Sequence, residues 1–216
     1  MTTDELIARF RRVATASVAD AVDKICGRRG YLDSAVKPRI NEKKICGPAA
    51  TILEGPTTEF VPPQHALDLI DEAEAGSVIC IATGGEAEMA VWGGLMTAGA
   101  IANRHEAAVL DGGVRDIVEI RRDYDFPVFA RAVSPGTTLG RYKTLAANIE
   151  IFIGGVAISP GDIVVGDIDG VVVVPRARAE AVLAMAEEID VRELEQAKLI
   201  IAEKSLRKGL AKYGRI

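Results

Sequence analysis

Arg115 and Asp116 stand side by side at the end of an apolar run, AAVLDGGV, and twenty residues separate Arg115 from Gly94 in the earlier run WGGLM. An arginine beside an aspartate offers a fixed cation for an anionic substrate and an oxygen ligand for a hard metal such as Mg²⁺. Glycines at a helix start leave its first amides uncovered, and those amides suit a carboxylate or phosphate oxygen. Each pattern alone is common, since Arg-Asp dipeptides usually form solvated pairs and a Gly-Gly before a helix is usually a tight turn. Gly84-Gly85-Glu86 lacks the GxGxxG spacing of a dinucleotide fold, and no GxxxxGK[ST] occurs.

The elements that must position these residues are short and apolar. Strands are expected at Pro48 to Leu53, Ser77 to Ala82, Ala107 to Leu110, Val128 to Ala130, Asp162 to Gly166 and Val171 to Val174. Helical stretches lie between them, at Val61 to Ala75 in part, Glu88 to Asn103 and Ile117 to Asp123. This alternation predicts an α/β layered fold whose central strands are covered on both faces, because VICIA and VVVV show no polar period. Two helices are expected before Gly27, the first beginning at Thr3 and the second capped by Ser17, followed by a loop from Gly30 to Lys44. The segment after Pro175 is helical, either packing on a neighbouring subunit or forming a solvated terminal helix pair. With no Pro/Gly/Ser-rich linker and no repeat, the chain is read as one domain over 1–216, with helical extensions at about 1–30 and 177–213.

Composition narrows the chemistry. The 216 residues carry 26 Lys+Arg against 31 Asp+Glu, a net charge of −5, which argues against a nucleic-acid or anionic-membrane partner. Two histidines and three scattered cysteines leave little room for nitrogen or sulfur metal sites, and no disulfide framework is readable. Cys46 and Cys80 read as small buried hydrophobes. The absence of a leader or membrane-length apolar run predicts a cytoplasmic protein.

SVADAV at Ser17, ICGPAATI at Ile45, WGGLM, DGGVRDIVEI, FPVFAR and SPGDIVVGDIDGVVVVP together resemble the family of class II pyruvate aldolases and RraA regulators of ribonuclease activity, which includes the 4-hydroxy-4-methyl-2-oxoglutarate aldolases. The family signature is a glycine or acid, twenty residues, Arg-Asp, and an acid three further on; Gly94, Arg115, Asp116 and Glu119 satisfy it. The resemblance implies a swivelling β/β/α fold assembled as a trimer or a hexamer (dimer of trimers), with active sites between subunits. It also implies that the amides of Gly93, Gly94, Leu95 and Met96 hold a substrate carboxylate and that Arg115 contacts the keto oxygen. Asp116 binds a divalent metal in this picture, Mg²⁺ foremost or Mn²⁺, largely through water. A carboxylate of the neighbouring C-terminal helix orders metal-bound water, and Glu193 is the candidate for it. The implied reaction is C–C cleavage of a small 2-oxo dicarboxylic acid to pyruvate, by oxaloacetate decarboxylation or retro-aldol cleavage. No lysine occurs between Lys44 and Lys143, which disfavours a Schiff base.

One departure bears on the reaction. Efficient aldolases of the family carry an aspartate where this chain has Gly94, so decarboxylation is expected ahead of aldol cleavage, with Glu86, Glu88 or Glu119 as substitutes for the missing acid. The alternatives are a non-catalytic regulator of a ribonuclease or helicase, and a demethylmenaquinone methyltransferase-like activity, for which no glycine-rich S-adenosylmethionine loop is visible. Asp111 reads as outer support for the metal or as a turn carboxylate, and Asp167 and Asp169 as a hairpin turn. His105 reads as a surface residue, Trp92 as core or subunit contact, and residues 54–65 as part of the pocket or an interface.

Overall fold

A computed structural model describes residues 1–214. In chain order the elements are α1 (Thr3–Phe10), α2 (Thr15–Cys26), β1 (Lys37–Pro38), β2 (Ile45–Pro56), α3 (Gln64–Glu72), β3 (Val78–Ala82), β4 (Ala90–Trp92), α4 (Gly94–Ala102) and β5 (Ala107–Val114). They continue with α5 (Ile117–Glu119), a π-turn at Ile120–Tyr124, β6 (Val128–Val133), β7 (Tyr142–Ala147), β8 (Ile151–Ile153), β9 (Val156–Ile158), β10 (Ile163–Asp167), β11 (Gly170–Val174), α6 (Ala179–Glu203) and α7 (Leu206–Tyr213). Nine strands form one sheet in the order β1-β6-β5-β3-β2-β10-β11, with β4 added to β5 and β7 to β2. The centre, β2-β3-β5-β6, is parallel.

The apolar runs divide by strand alternation among three cores. Val78, Cys80, Val109, Val164, Val171 and Val173 point to one face, where Leu32 and Val36 join them. Tyr31 bridges Val172, and the same segment reaches β6 through β1, so the chain from Gly30 to Pro38 nearly closes the sheet around this core. Ile79, Ile81, Ala108 and Leu110 face the opposite way, under α3 and α4, with Trp92. Val172, Val174, Ile163 and Val165 lie beneath α1, α2 and the first half of α6. The unbroken VVVV is thus buried on both sides, as its lack of a polar period requires.

Several expectations need correction. Residues 88–93 are not helical: Ala90–Trp92 form β4, parallel to the end of β5, because Gly113 lets Met89 O approach and accept its N–H at 2.9 Å. A Cβ at Gly113 would lie 2.6 Å from that oxygen. Ser17 does not cap α2; the helix starts at Thr15 after Ala14, and Ser17 is buried within it. α1 does begin at Thr3 as expected, and Thr2 caps it in a capping box with Glu5. The Gly30 to Lys44 stretch contains the short β1. His105 is buried, 7% exposed, because Arg104 takes a left-handed φ of 57° and turns the chain inward, placing His105 Nε2 2.8 Å from Ile70 O at the end of α3. Asp111 is not in a turn: it is buried within β5 and accepts from Arg131 Nη2 at 2.6 Å and from the Gly154 amide at 3.4 Å.

Other readings hold. Asp167 and Asp169 flank the β10-β11 hairpin, Cys46 and Cys80 are buried free thiols, and burial pushes the Cys46 thiol up to about 12. Trp92 is core: it stacks on Phe126 with ring centroids 6.1 Å apart, and its Nε1 donates to Thr97 Oγ1 at 2.8 Å. The C-terminal helices form a pair, with Gly209 of α7 seated against Ile200, while Val191, Leu194 and Ile201 of α6 stand exposed. No helix among the described residues is long and apolar enough to cross a membrane.

Glu54 is an unexpected feature of β2. It is 3% exposed, follows a β-bulge at Leu53/Glu54, and neither side-chain oxygen has a partner among the described residues. Burial pushes its carboxyl up to about 7. A carboxyl raised in the folded state stabilises below its unfolded value of 4.5, and that stability is lost as pH rises through about 7. Glu54→Gln is therefore expected to match the native chain near pH 4 and exceed it above pH 8 by about 3 kcal/mol, at roughly 1.4 kcal/mol per pKa unit. Urea denaturation at the two pH values reads the difference, and a gain of equal size at both would contradict it.

Candidate active site

β4, β5 and α4 bring the chemistry together. β4 and β5 run parallel and end side by side, with Trp92 paired to Val114, so the residues that follow, Gly93 and Arg115, emerge next to each other. The Arg115 amide donates to Trp92 O at 3.0 Å and fixes that register. Trp92 also locks the start of α4, since Thr97 Oγ1 accepts from its indole and donates to Gly93 O at 3.0 Å.

Asp116 adopts φ 60°, a left-handed conformation that asparagine and aspartate tolerate better than most residues. Its Oδ2 accepts the Gly94 N–H at 2.9 Å and lies 3.8 Å from Arg115 Nε. Oδ1 accepts no hydrogen bond among the described residues. A Cβ on Gly93 would sit 2.7 Å from Asp116 Oδ2 and 3.2 Å from Arg115 Nε, so glycine is what allows the carboxylate and guanidinium to approach this backbone. Because Gly94 spends its amide on Asp116, the first-turn amides without partners among the described residues are those of Leu95 and Met96. These residues open on a cavity of about 310 Å³.

The other wall of that cavity comes from elsewhere in the chain. Pro62, Pro63 and Leu67 lead into and lie on α3, and Thr137, Thr138 and Leu139 precede β7. The two loops are tied together, Thr57 N–H to Arg141 O at 2.8 Å and Gly140 N–H to Glu59 O at 3.2 Å. The proline-rich run gave a signal for part of this wall; Thr137 to Leu139 gave none beyond turn composition.

Glu119 is exposed on α5 and lines a shallower adjoining depression that also contains Arg115 and Asp116. Glu86 and Glu88 line neither; the Glu88 amide donates to Glu86 Oε1 at 2.7 Å, and Ser134 Oγ donates to Glu88 O. Gly84 and Gly85 also stay outside, with Gly85 turned toward Arg131. Glu193 stands exposed on α6, which packs on α1 and α2, and it lines neither depression of its own chain.

The donor set suits one class of ion. Among the described residues no three His, Cys, Asp or Glu side chains gather in a metal-binding group. A half-exposed aspartate with one uncommitted oxygen fits a hard ion of the Mg²⁺ kind, which keeps several waters and takes one or two carboxylates. It does not fit a zinc-type site, which needs a cage of nitrogen or sulfur ligands.

A family model described as RraA-like, Aldolase/RraA, matches residues 15–173, which spans α2 through most of β11 and includes every element of this cavity. The chain belongs to the RraA-like family. A "Putative 4-hydroxy-4-methyl-2-oxoglutarate aldolase" of Halalkalibacterium halodurans is 33% identical to the RraA-like chain over 187 residues, 85% of this chain and 83% of that one. Protein DlpA of Legionella pneumophila is 34% identical over 183 residues, 84% of this chain, yet this chain spans only 29% of DlpA's length. The crystal structure of Streptomyces coelicolor RraAS2, described as an unusual member of the RNase ES inhibitor RraA protein family, superposes with a TM-score of 0.81 at 26% identity, covering 91% of this chain and 97% of that one. The RraA-like chain therefore has the swivelling β/β/α fold; α1 precedes the matched region, α2 lies within it, and α6 and α7 follow it.

Proposed function

We propose that the chain is a divalent-metal-dependent lyase that releases pyruvate from small 2-oxo dicarboxylic acids, with oxaloacetate decarboxylation ahead of aldol cleavage. The observation that carries this reading is the convergence of Asp116, Arg115 and the free amides of Leu95 and Met96 on one cavity. The relative named as an aldolase supports the same class of chemistry.

The residues divide the work by charge. The Leu95 and Met96 amides receive the C1 carboxylate at the helix N-terminus, where the partial positive charge of α4 favours it. Arg115 meets the C2 keto oxygen and stabilises the negative charge that gathers there as the C3–C4 bond breaks, a donor worth about 10²–10³ in rate. Asp116 would hold the divalent ion, which when bound supplies Lewis-acid polarisation of the 2-oxo group. Gly94 holds Asp116 in place through its amide.

Decarboxylation needs no base at the leaving group, whereas retro-aldol cleavage needs one for the C4 hydroxyl proton. Among the described residues the cavity offers no carboxylate other than Asp116, and Glu119 lies in the adjoining depression. Gly94→Asp restores an acid there: the new Cβ would stand 3.5 Å from Asp116 Oδ2, close enough for the two carboxylates to raise one pKa toward a useful base. The ratio of 4-hydroxy-4-methyl-2-oxoglutarate cleavage to oxaloacetate decarboxylation is expected to rise about tenfold in this variant, measured by coupled pyruvate assay; an unchanged ratio would contradict the role given to position 94.

The exposed Val191, Leu194 and Ile201 on α6 support assembly as a homotrimer or hexamer in which Glu193 reaches a neighbour's site. The reading as a whole is tested by a panel of 2-oxo acids assayed for pyruvate release with Mg²⁺ or Mn²⁺. Release from at least one dicarboxylic member supports it; stable capture of a ribonuclease with no turnover on any member favours the regulatory alternative.

A further inference from the structure

Three hydrogen bonds in series lead from the core to Asp116. The indole of Trp92, 1% exposed and stacked on Phe126 with the ring planes 8° apart, donates from Nε1 to Thr97 Oγ1 at 2.8 Å. An indole N–H can only donate and a hydroxyl has one hydrogen to give, so Thr97 spends its own hydrogen onward, on Gly93 O at 3.0 Å. Gly93 O and the Gly94 N–H belong to one planar peptide, and that N–H donates to Asp116 Oδ2 at 2.9 Å. Every donor in the series points the same way, toward the carboxylate. A threonine inside a helix often donates to the carbonyl four residues back, and the Thr97 amide also donates to Gly93 O at 3.0 Å. Ordinary back-bonding of that kind supplies neither the fixed indole behind the hydroxyl nor the carboxylate ahead of the peptide. Thr97 is 0% exposed, so solvent cannot take over its bonds. Gly93 brings no side-chain cap to α4, and Thr97 and Asp116 instead hold the peptide that opens the helix from its two ends.

We propose that Thr97 is a positioning residue for the divalent ion: through the Gly93–Gly94 peptide it aims the Gly94 N–H at Asp116 Oδ2, keeping that oxygen engaged and Oδ1 uncommitted for the cation. This role rests on the lyase reading, in which Asp116 holds the ion, and it belongs to a side chain that touches neither ion nor substrate. Two effects act in the same direction. A peptide held at both ends is restrained from rocking, so the carboxylate has less freedom to lose when the ion arrives. Hydrogen bonds in series also polarise one another, so the hydroxyl on Gly93 O strengthens the Gly94 N–H bond that fixes the carboxylate's rotamer. Loss of such an outer partner of a metal ligand costs about 10–100-fold in metal affinity, and because the Thr97 amide still holds Gly93 O the lower end of that range applies.

The test titrates Mn²⁺ alone into the full chain, read by calorimetry and by the electron paramagnetic resonance signal of the free ion. Thr97→Val keeps the shape and removes the hydroxyl, and its Mn²⁺ affinity is expected to fall about tenfold, whereas Thr97→Ser keeps the hydroxyl and should stay within about threefold of the native chain. Asp116→Asn should abolish the binding. In oxaloacetate turnover Thr97→Val should need about ten times more Mg²⁺ for half-saturation, with kcat at saturating Mg²⁺ recovering to within about threefold. A general loosening of the fold would not be repaired by added ion. Thr97→Val leaves the Trp92 N–H buried without a partner; should it not fold, Trp92→Phe/Thr97→Val, which removes donor and hydroxyl together, carries the same expectation. Unchanged Mn²⁺ affinity in the variant lacking the hydroxyl, or an equal loss in Thr97→Ser, overturns the proposal while leaving the lyase reading intact. Mn²⁺ binding undiminished in Asp116→Asn, or no binding by the native chain, overturns both.

Discussion

Asp116→Asn is expected to lose about a thousandfold in pyruvate release from oxaloacetate while folding as the native chain does. The magnitude follows from removing several kcal/mol of charge stabilisation at about 1.4 kcal/mol per factor of ten. Asparagine keeps two of the three things Asp116 provides. Its side-chain oxygen can accept the Gly94 N–H now held at 2.9 Å, and it tolerates the φ of 60°. Only the negative charge is lost, so a large fall in rate with unchanged thermal stability isolates that charge. Asp116→Ala should show the same loss of rate and a further destabilisation of about 1 kcal/mol, because alanine is disfavoured in the left-handed region. If the Asn variant keeps most of its rate, the carboxylate is a backbone fixture and not a metal ligand.

Gly93→Ala should cost about a hundredfold in kcat with little change in melting temperature. Gly93 has φ −158°, which any residue adopts, so the effect does not arise from backbone conformation. It arises from space: the methyl would lie 2.7 Å from Asp116 Oδ2 and 3.2 Å from Arg115 Cγ, and both functional side chains must move. Displacements of around 1 Å at reacting groups are enough for losses of about 10². Steady-state kinetics beside a melting curve separates this from unfolding; a large stability loss with unchanged kcat in the folded fraction would contradict it.

Much of this site is legible in the sequence because its parts are adjacent or follow parallel strand ends. Arg115 and Asp116 are consecutive, and the run to Gly93 and Gly94 is short enough that a strand, a turn and a helix fill it. The central strands are legible because buried parallel strands must be continuous apolar runs. β4 was not, because three residues, Ala90–Trp92, gain strand geometry only from pairing with a β5 whose Gly113 admits them. β7 is not legible because its mixed, half-buried residues carry weak periodicity, and β8 and β9, apolar and alternating around Gly154-Gly155, are each only three residues long. His105 misled because a histidine after a helix ordinarily meets solvent, whereas here Arg104 reverses the chain and an Ile70 carbonyl needs a partner. The apolar wall was only partly visible, since Leu67 and Leu139 lie 72 positions apart and meet through long-range pairing of β2 with β7.

The central claim is that Asp116 and Arg115 form a metal-assisted site for pyruvate release. The most direct measurement is oxaloacetate decarboxylation by the purified full chain, first as prepared with added Mg²⁺, then after EDTA, then after excess Mg²⁺ is restored. The site predicts turnover that falls to the uncatalysed background with chelator and returns with the ion. Turnover that persists undiminished in EDTA, or no turnover at any Mg²⁺ concentration, would contradict it.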